Sequence, residues 1–191
     1  LATLGTVFSQ NVLADEREPA VVLETDEELA GVPSALLSAM RAAADERGHA
    51  NKYAVTSSRS IIEPFLAFSE RRDLREVAFK AWATRGETMG SRDNRPIVAK
   101  IVRLRAEKAA LLGYASFAHF KLDDTMAKTP ENVRSLLETV WEKARGRAAE
   151  ETEEITRLIL ADGQNHPVEP WDWRHYSQKV RAARYAFDEA E

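Results

Sequence analysis

Residues 129–160 read TPENVRSLLETVWEKARGRAAEETEEITRLIL, and this stretch decides the fold class. Thr129 offers a capping hydroxyl, and Pro130 presets the first helical residue. Val133, Leu136, Leu137, Val140, Trp141 and Ala144 follow at helical spacing, and the pattern resumes with Ile155, Leu158 and Ile159. One helix over 130–162 would be about 50 Å long at 1.5 Å per residue. Gly146 is a weak point within it. Gly163, Pro167 and Pro170 then force a loop, and a final helix is expected from about Trp173, with Tyr176, Val180, Ala183 and Phe187 turned inward.

Working back towards the start, helical patterns dominate. Ser116 caps a short helix bearing Phe117, Phe120 and Leu122. Asp93 or Asn94 caps a helix whose inner face would use Ile97, Ile101, Val102, Leu104, Leu111 and Leu112, with Gly113 ending it. Asp73 is the expected cap of a helix carrying Leu74, Val77, Ala78, Ala81 and Trp82. Ile61, Ile62, Phe65, Leu66 and Phe68 form a further apolar stripe, and Leu4, Phe8, Val12 and Leu13 another. Residues 20–24 and 52–56 are short and β-branched, and read as strands around a helix with Leu36, Leu37, Met40 and Ala44 on one face. The expectation is a mainly α multi-helix body with a small two-stranded β excursion.

The chain has 191 residues, 44% hydrophobic and 30% charged, which is ordinary globular composition. Lys and Arg number 27 against 31 Asp and Glu, so no basic excess attracts nucleic acid. No apolar run approaches the roughly 20 residues that span a bilayer. Cys is 0, which removes disulfides, thiolate metal sites and a Cys nucleophile, and fits a reducing, cytoplasmic setting. The chain begins at Leu1, not Met, and a helical pattern still runs at Glu191, so we expect a piece of a longer protein.

The residues that carry chemistry are sparse. His49, His119, His166 and His175 contain no pair four apart, and none is followed by Glu, so H-E-x-x-H is absent. No P-loop, G-x-S-x-G elbow or G-x-G-x-x-G occurs. Asp123-Asp124 and the run Glu150, Glu151, Glu153, Glu154 read as solvated acidic surface. Glu70, Arg71, Arg72, Asp73, Arg75 and Glu76 form a mixed cluster that reads as surface pairing or as a network fixing the turn between two helices. The most unusual segment is Trp171-Asp172-Trp173-Arg174-His175-Tyr176. Trp and Tyr combine an apolar body with a polar handle, which suits a helix anchor and a cleft wall alike. Trp171, Asp172, Trp173 and Tyr176 are therefore candidates for a channel wall or an inter-half contact.

Several segments together resemble the M3 family of zinc oligopeptidases. Leu4-Gly5-Thr6-Val7-Phe8-Ser9-Gln10-Asn11-Val12 resembles its L-x-x-x-F-x-x-N-[VL], and Leu29-Ala30-Gly31-Val32-Pro33 its L-x-G-[LV]-P turn. Leu104-Arg105-Ala106 with Leu111-Leu112-Gly113-Tyr114, and then Met126-Ala127-Lys128-Thr129-Pro130, continue the likeness. Trp171 to Tyr176 resembles W-D-x-x-Y-Y, except that His175 stands where the family more often has Tyr; Arg184-Tyr185 extends the match. Ser58-Arg59-Ser60 and Glu63-Pro64-Phe65 look nearest to the peptidyl-dipeptidase branch.

The resemblance implies a mostly helical enzyme with two halves around a deep channel. It implies zinc in the parent protein and short peptides as its substrates. The zinc motif and its catalytic half would follow the region present here, so no catalytic, cofactor-binding or metal residue transfers to this chain. The chain would then be inactive scaffold and channel wall that binds no zinc itself. The other reading is a self-contained helical protein- or peptide-binding module without catalysis.

Overall fold

The computed structural model describes residues 1–88 and 90–185, so the expected inward side chain of Phe187 lies outside the described residues. In chain order the elements are α1 (Ala2–Arg17), β1 (Val21–Leu23), α2 (Ser34–Asp45), β2 (Tyr53–Val55) and α3 (Arg59–Phe68). They continue with α4 (Arg72–Ala83), α5 (Arg95–Leu111), α6 (Phe117–Leu122), α7 (Pro130–Ala161) and α8 (Pro170–Tyr185). The chain is mainly α, with one small antiparallel sheet among the described residues. It divides into two compact units. The first comprises Leu1–Asn11 and Gly86–Glu151; the second comprises Val12–Arg85 and Thr152–Glu191.

The second unit holds the main core. β1 and β2 pair with Val22 opposite Ala54 and Leu23 opposite Tyr53. One side of this ribbon meets α2, whose buried residues Leu36, Met40, Ala43 and Ala44 recur at helical spacing. α3 adds Ile61, Ile62, Phe65 and Leu66, and α4 adds Ala78. Gly31 makes the turn between β1 and α2 possible. Its φ is +80°, and a Cβ there would sit 2.4 Å from the Phe68 carbonyl oxygen. Only glycine meets both demands cheaply. The L-x-G-[LV]-P likeness thus marks a place where two backbones touch. A smaller cluster forms where Ile155 and Ile159 of α7 meet Tyr176 of α8, with Leu158, Val168 and Trp173 against them.

The first unit is built differently. Asn11 is buried and donates from Nδ2 to Asn94 Oδ1 at 2.9 Å, while Asn94 Nδ2 donates to the Phe8 carbonyl at 3.0 Å. Asn94 does occupy the cap position of α5, but its side chain makes no cap bond. It is spent on α1 instead. The neighbouring Asp93 Oδ1 accepts the Arg95 N–H at 2.9 Å. α5 and α6 fold as a short hairpin. Gly113 turns the chain at φ +81°, and Tyr114 packs edge-on to Phe120 and donates its hydroxyl to Asp123 at 2.8 Å.

The long helix is continuous through Gly146. Its 32 residues extend about 48 Å, and the Asn132 N–H donates to Thr129 Oγ1 at its start. Three expectations need correction. α4 begins at Arg72, and Asp73 lies inside its first turn, held by the Arg71 guanidinium at 2.7 and 3.0 Å. α8 begins at Pro170, not Trp173, because proline fits the first helical position and Asp172 closes the cap behind it. The supposed inner face of α5 is largely bare: Ala109 is its one buried residue, and Val102, Leu111 and Leu112 are exposed.

Candidate functional site

The polar centre of the second unit forms where the start of α8 meets α4. Asp172 is the third residue of α8, so its carboxylate can turn back on the helix entrance. Oδ2 accepts the Glu169 N–H at 3.2 Å, as the acidic member of a capping box does. The same carboxylate is wholly buried and receives two guanidinium groups. Arg72 donates Nε and Nη2 at 2.9 to 3.2 Å, and Arg75 donates Nη2 at 3.1 Å. Arg72 and Arg75 are three apart on α4, so one helical face presents both.

Arg75 is itself 2% exposed and uses its remaining donors on backbone. Nη1 donates to the Ser69 carbonyl at 2.8 Å, and Nε to the Trp171 carbonyl at 3.2 Å. Burial lowers its pKa from the ordinary value, and the bond to Asp172 works against that shift. A guanidinium stays charged regardless. One side chain thus ties together the end of α3, α4 and the entrance of α8. With its acceptor sites taken by the arginines and the Glu169 N–H, the Asp172 carboxylate ties the entrance of α8 to α4. His166 Nδ1 stands 3.7 Å from Oδ2 on the outer side.

The neighbouring side chains point inward as well. Trp171 is half-buried beside Phe79, with Lys80 and Arg72 over its ring at 5.1 and 5.6 Å. Trp173 and Tyr176 pack on Ile155 and Ile159. Burial raises the Tyr176 phenol pKa. His175 is 6% exposed, and its Nδ1 lies 3.1 Å from the Ala67 carbonyl. Burial first, then the charges of Arg75 and Lys179, push its imidazole down to about 4. It is therefore neutral at pH 7 and donates Nδ1–H to that carbonyl.

The four expected site residues are thus brought together on the first two turns of α8, and each contributes to packing or pairing inside its own unit. Sequence reading missed Arg72 and Arg75 as their partners. The available signal was Arg75 sitting three residues before Ala78 on an otherwise apolar face. A groove of about 670 Å³ lies nearby between α2, α3 and α8, with Leu36, Pro64 and Phe68 among its apolar walls. Across it Arg174 donates to Glu63 at 2.9 Å.

Among the described residues no group of three or more His, Cys, Asp or Glu side chains is gathered so as to hold a metal ion. No described helix is long and apolar enough to cross a membrane. A mainly α body locked by a buried carboxylate and two arginines is the class of molecule that this geometry defines.

Residues 65–191 match the family described as peptidase family M3, and the chain belongs to that family. The dipeptidyl carboxypeptidase of Escherichia coli is 34% identical over 190 residues, covering 100% of this chain and 28% of that protein. Oligopeptidase A of Salmonella typhimurium is 32% identical over 196 residues, with the same coverage of 100% and 28%. The mitochondrial intermediate peptidase of Phaeosphaeria nodorum is 33% identical over 119 residues, 60% of this chain and 14% of that one. The chain thus spans a little over a quarter of the length of the first two relatives.

Proposed function

We propose that this chain is one segment of a longer, mostly helical zinc oligopeptidase or peptidyl-dipeptidase that hydrolyses short peptides. The segment contributes scaffold and channel wall and has no peptidase activity alone. The observation that carries this reading is the pair of coverages: all of this chain aligns with 28% of a dipeptidyl carboxypeptidase. The architecture supports it. The buried carboxylate of α8, Asp172, is spent on a lock with Arg72 and Arg75 of α4, which fixes helix positions and leaves chemistry to other residues.

In the parent, zinc would polarise the scissile carbonyl and activate water. The described residues of this chain do not offer a donor set for it, and no step of the reaction is assigned to them. Trp171, Asp172, Trp173 and Tyr176 would hold a wall or an inter-half contact in place from behind. The Cys-free composition is compatible with a cytoplasmic parent.

The test has two arms. The isolated chain should not hydrolyse short fluorogenic peptides. The same chain, grafted into the Escherichia coli relative in place of the matching 190 residues, should give a chelator-sensitive peptidase. Chelator-sensitive turnover by the isolated chain would overturn the proposal.

A further inference from the structure

One face of α7 carries an apolar stripe at each end, with the Arg147–Glu151 pair between them, and among the described residues only the C-terminal stripe is covered. Leu137, Val140 and Trp141 precede Ile155, Leu158 and Ile159 by the same interval, about five helical turns at 3.6 residues per turn. The two trios therefore share a face by period. At the C-terminal end that face is closed: Ile155 and Ile159 are 2% and 0% exposed against Tyr176 and Trp173 of α8. At the N-terminal end it is open: Leu136, Leu137, Val140 and Trp141 are 67, 59, 57 and 65% exposed. Charges do not interrupt the open stretch. Val133, Leu136, Leu137, Val140, Trp141 and Ala144 fill the stripe, while Glu131, Glu138 and Glu142 lie across the helix from it.

We propose that the first four turns of α7 are the seat of an apolar helix from the remainder of a full-length M3 polypeptide, packed there as α8 packs on the last turns. This rests on the reading of the chain as one segment of such a polypeptide. Two observations select that occupant. The alignment with the Escherichia coli relative takes in this entire chain, α7 included, so the segment that matches α7 sits there inside a polypeptide more than three times longer. The stripe is also long, uncharged and aromatic, and at its other end the structure shows what fits it: a helix presenting Trp and Tyr side chains. A row of large apolar side chains on one helical face marks an interaction surface.

Thiol labelling tests the proposal, and the absence of Cys from this chain makes it clean. Leu137→Cys, Val140→Cys and, as the opposite-face control, Glu138→Cys are made in this chain. Cysteines are also placed at the aligned positions of the Escherichia coli dipeptidyl carboxypeptidase. Labelling by a maleimide is timed natively and read by mass spectrometry of the peptide from α7. In the isolated chain all three should react at similar rates. In the full-length relative, the Leu137 and Val140 positions should react at least about a hundredfold more slowly than the Glu138 position, because labelling must wait for local opening. Equal rates at the three positions of the full-length enzyme would overturn the proposal. Protection of Leu137→Cys already in the isolated chain would overturn it too, since the face would then be closed by a second copy. Peptide hydrolysis is measured on every labelled enzyme. An active enzyme with an open stripe would sink this surface and leave the peptidase-segment reading standing, whereas failure of the grafted enzyme would do the reverse.

Discussion

In the second unit Leu23, Met40, Ile62 and Phe65 have no exposed surface, whereas in the first unit Leu111, Leu112, Leu136 and Trp141 are all more than half exposed. Both units contain well-formed helices with apolar stripes. The difference is closure. In the second, three helices and a two-stranded ribbon surround a common centre, and α7 meets α8 in a smaller one. In the first, α5 and α6 meet each other and α1 is tied by an asparagine pair, but much of their apolar surface meets nothing among the described residues. A helix can satisfy its backbone alone, but it can bury its stripe only against a partner.

The largest effect should come from breaking the second unit at Asp172. Asp172→Ala removes the carboxylate and leaves Arg75 buried without its charge partner. Losing one member of a buried pair costs about 3–5 kcal/mol. Urea denaturation followed by circular dichroism should show that loss. The exposed Arg147→Ala, which removes pairs to Glu150 and Glu151 in the first unit, should cost less than about 1 kcal/mol. Equal costs would erase the contrast.

Next comes acid. The imidazole of His175 titrates near 4 in the fold against an ordinary value of 6.5. As pH falls below about 6.5 the unfolded chain takes up a proton that the folded chain refuses. Stability is therefore full above that pH and declines until the folded group also protonates near 4. The gap amounts to roughly 3 kcal/mol at 1.36 kcal/mol per pH unit. Denaturation midpoints measured from pH 7.5 to 4 should fall accordingly, and His175→Gln should flatten the slope. An unchanged slope in that variant would assign the acid sensitivity elsewhere.

The smallest effects sharpen the contrast inside the first unit, between its asparagine pair and its open stripe. Asn94→Ala strips the buried Asn11 amide of its partner and removes a second bond to the Phe8 carbonyl, and should cost about 1–3 kcal/mol. Leu137→Ala, on the open face, should change the stability of the isolated chain by no more than about 0.5 kcal/mol. Paired thermal melts of the two variants would check the order. A large loss at Leu137 would mean that the first unit closes on itself.

Much of this was legible from residue order. The L-x-x-x-F-x-x-N segment proves to place Asn11 against Asn94, and the L-L-G-Y segment proves to be the α5–α6 turn. The start of α7 follows from Thr129 and Pro130. Less was legible at α8. Pro170 reads as a breaker unless the capping role of Asp172 is seen, and that role depends on a side chain folding back on its own helix. The mixed cluster around Arg72 and Arg75 suggested local pairing, yet its decisive partner is about a hundred residues away.

The sequence by itself determined where most helices form and stop, the starts of α4 and α8 excepted. Those events are local: a hydrogen bond spans four residues, a cap spans three, and proline and glycine act where they stand. It also carried the family likeness, which depends on the order of short segments. The tertiary structure alone decided which apolar stripes are covered and what Asp172 does. Periodicity states that a helix has an apolar face without naming what covers it, and a carboxylate becomes a buried lock only when two guanidinium groups from another helix arrive to offset the cost of removing it from water.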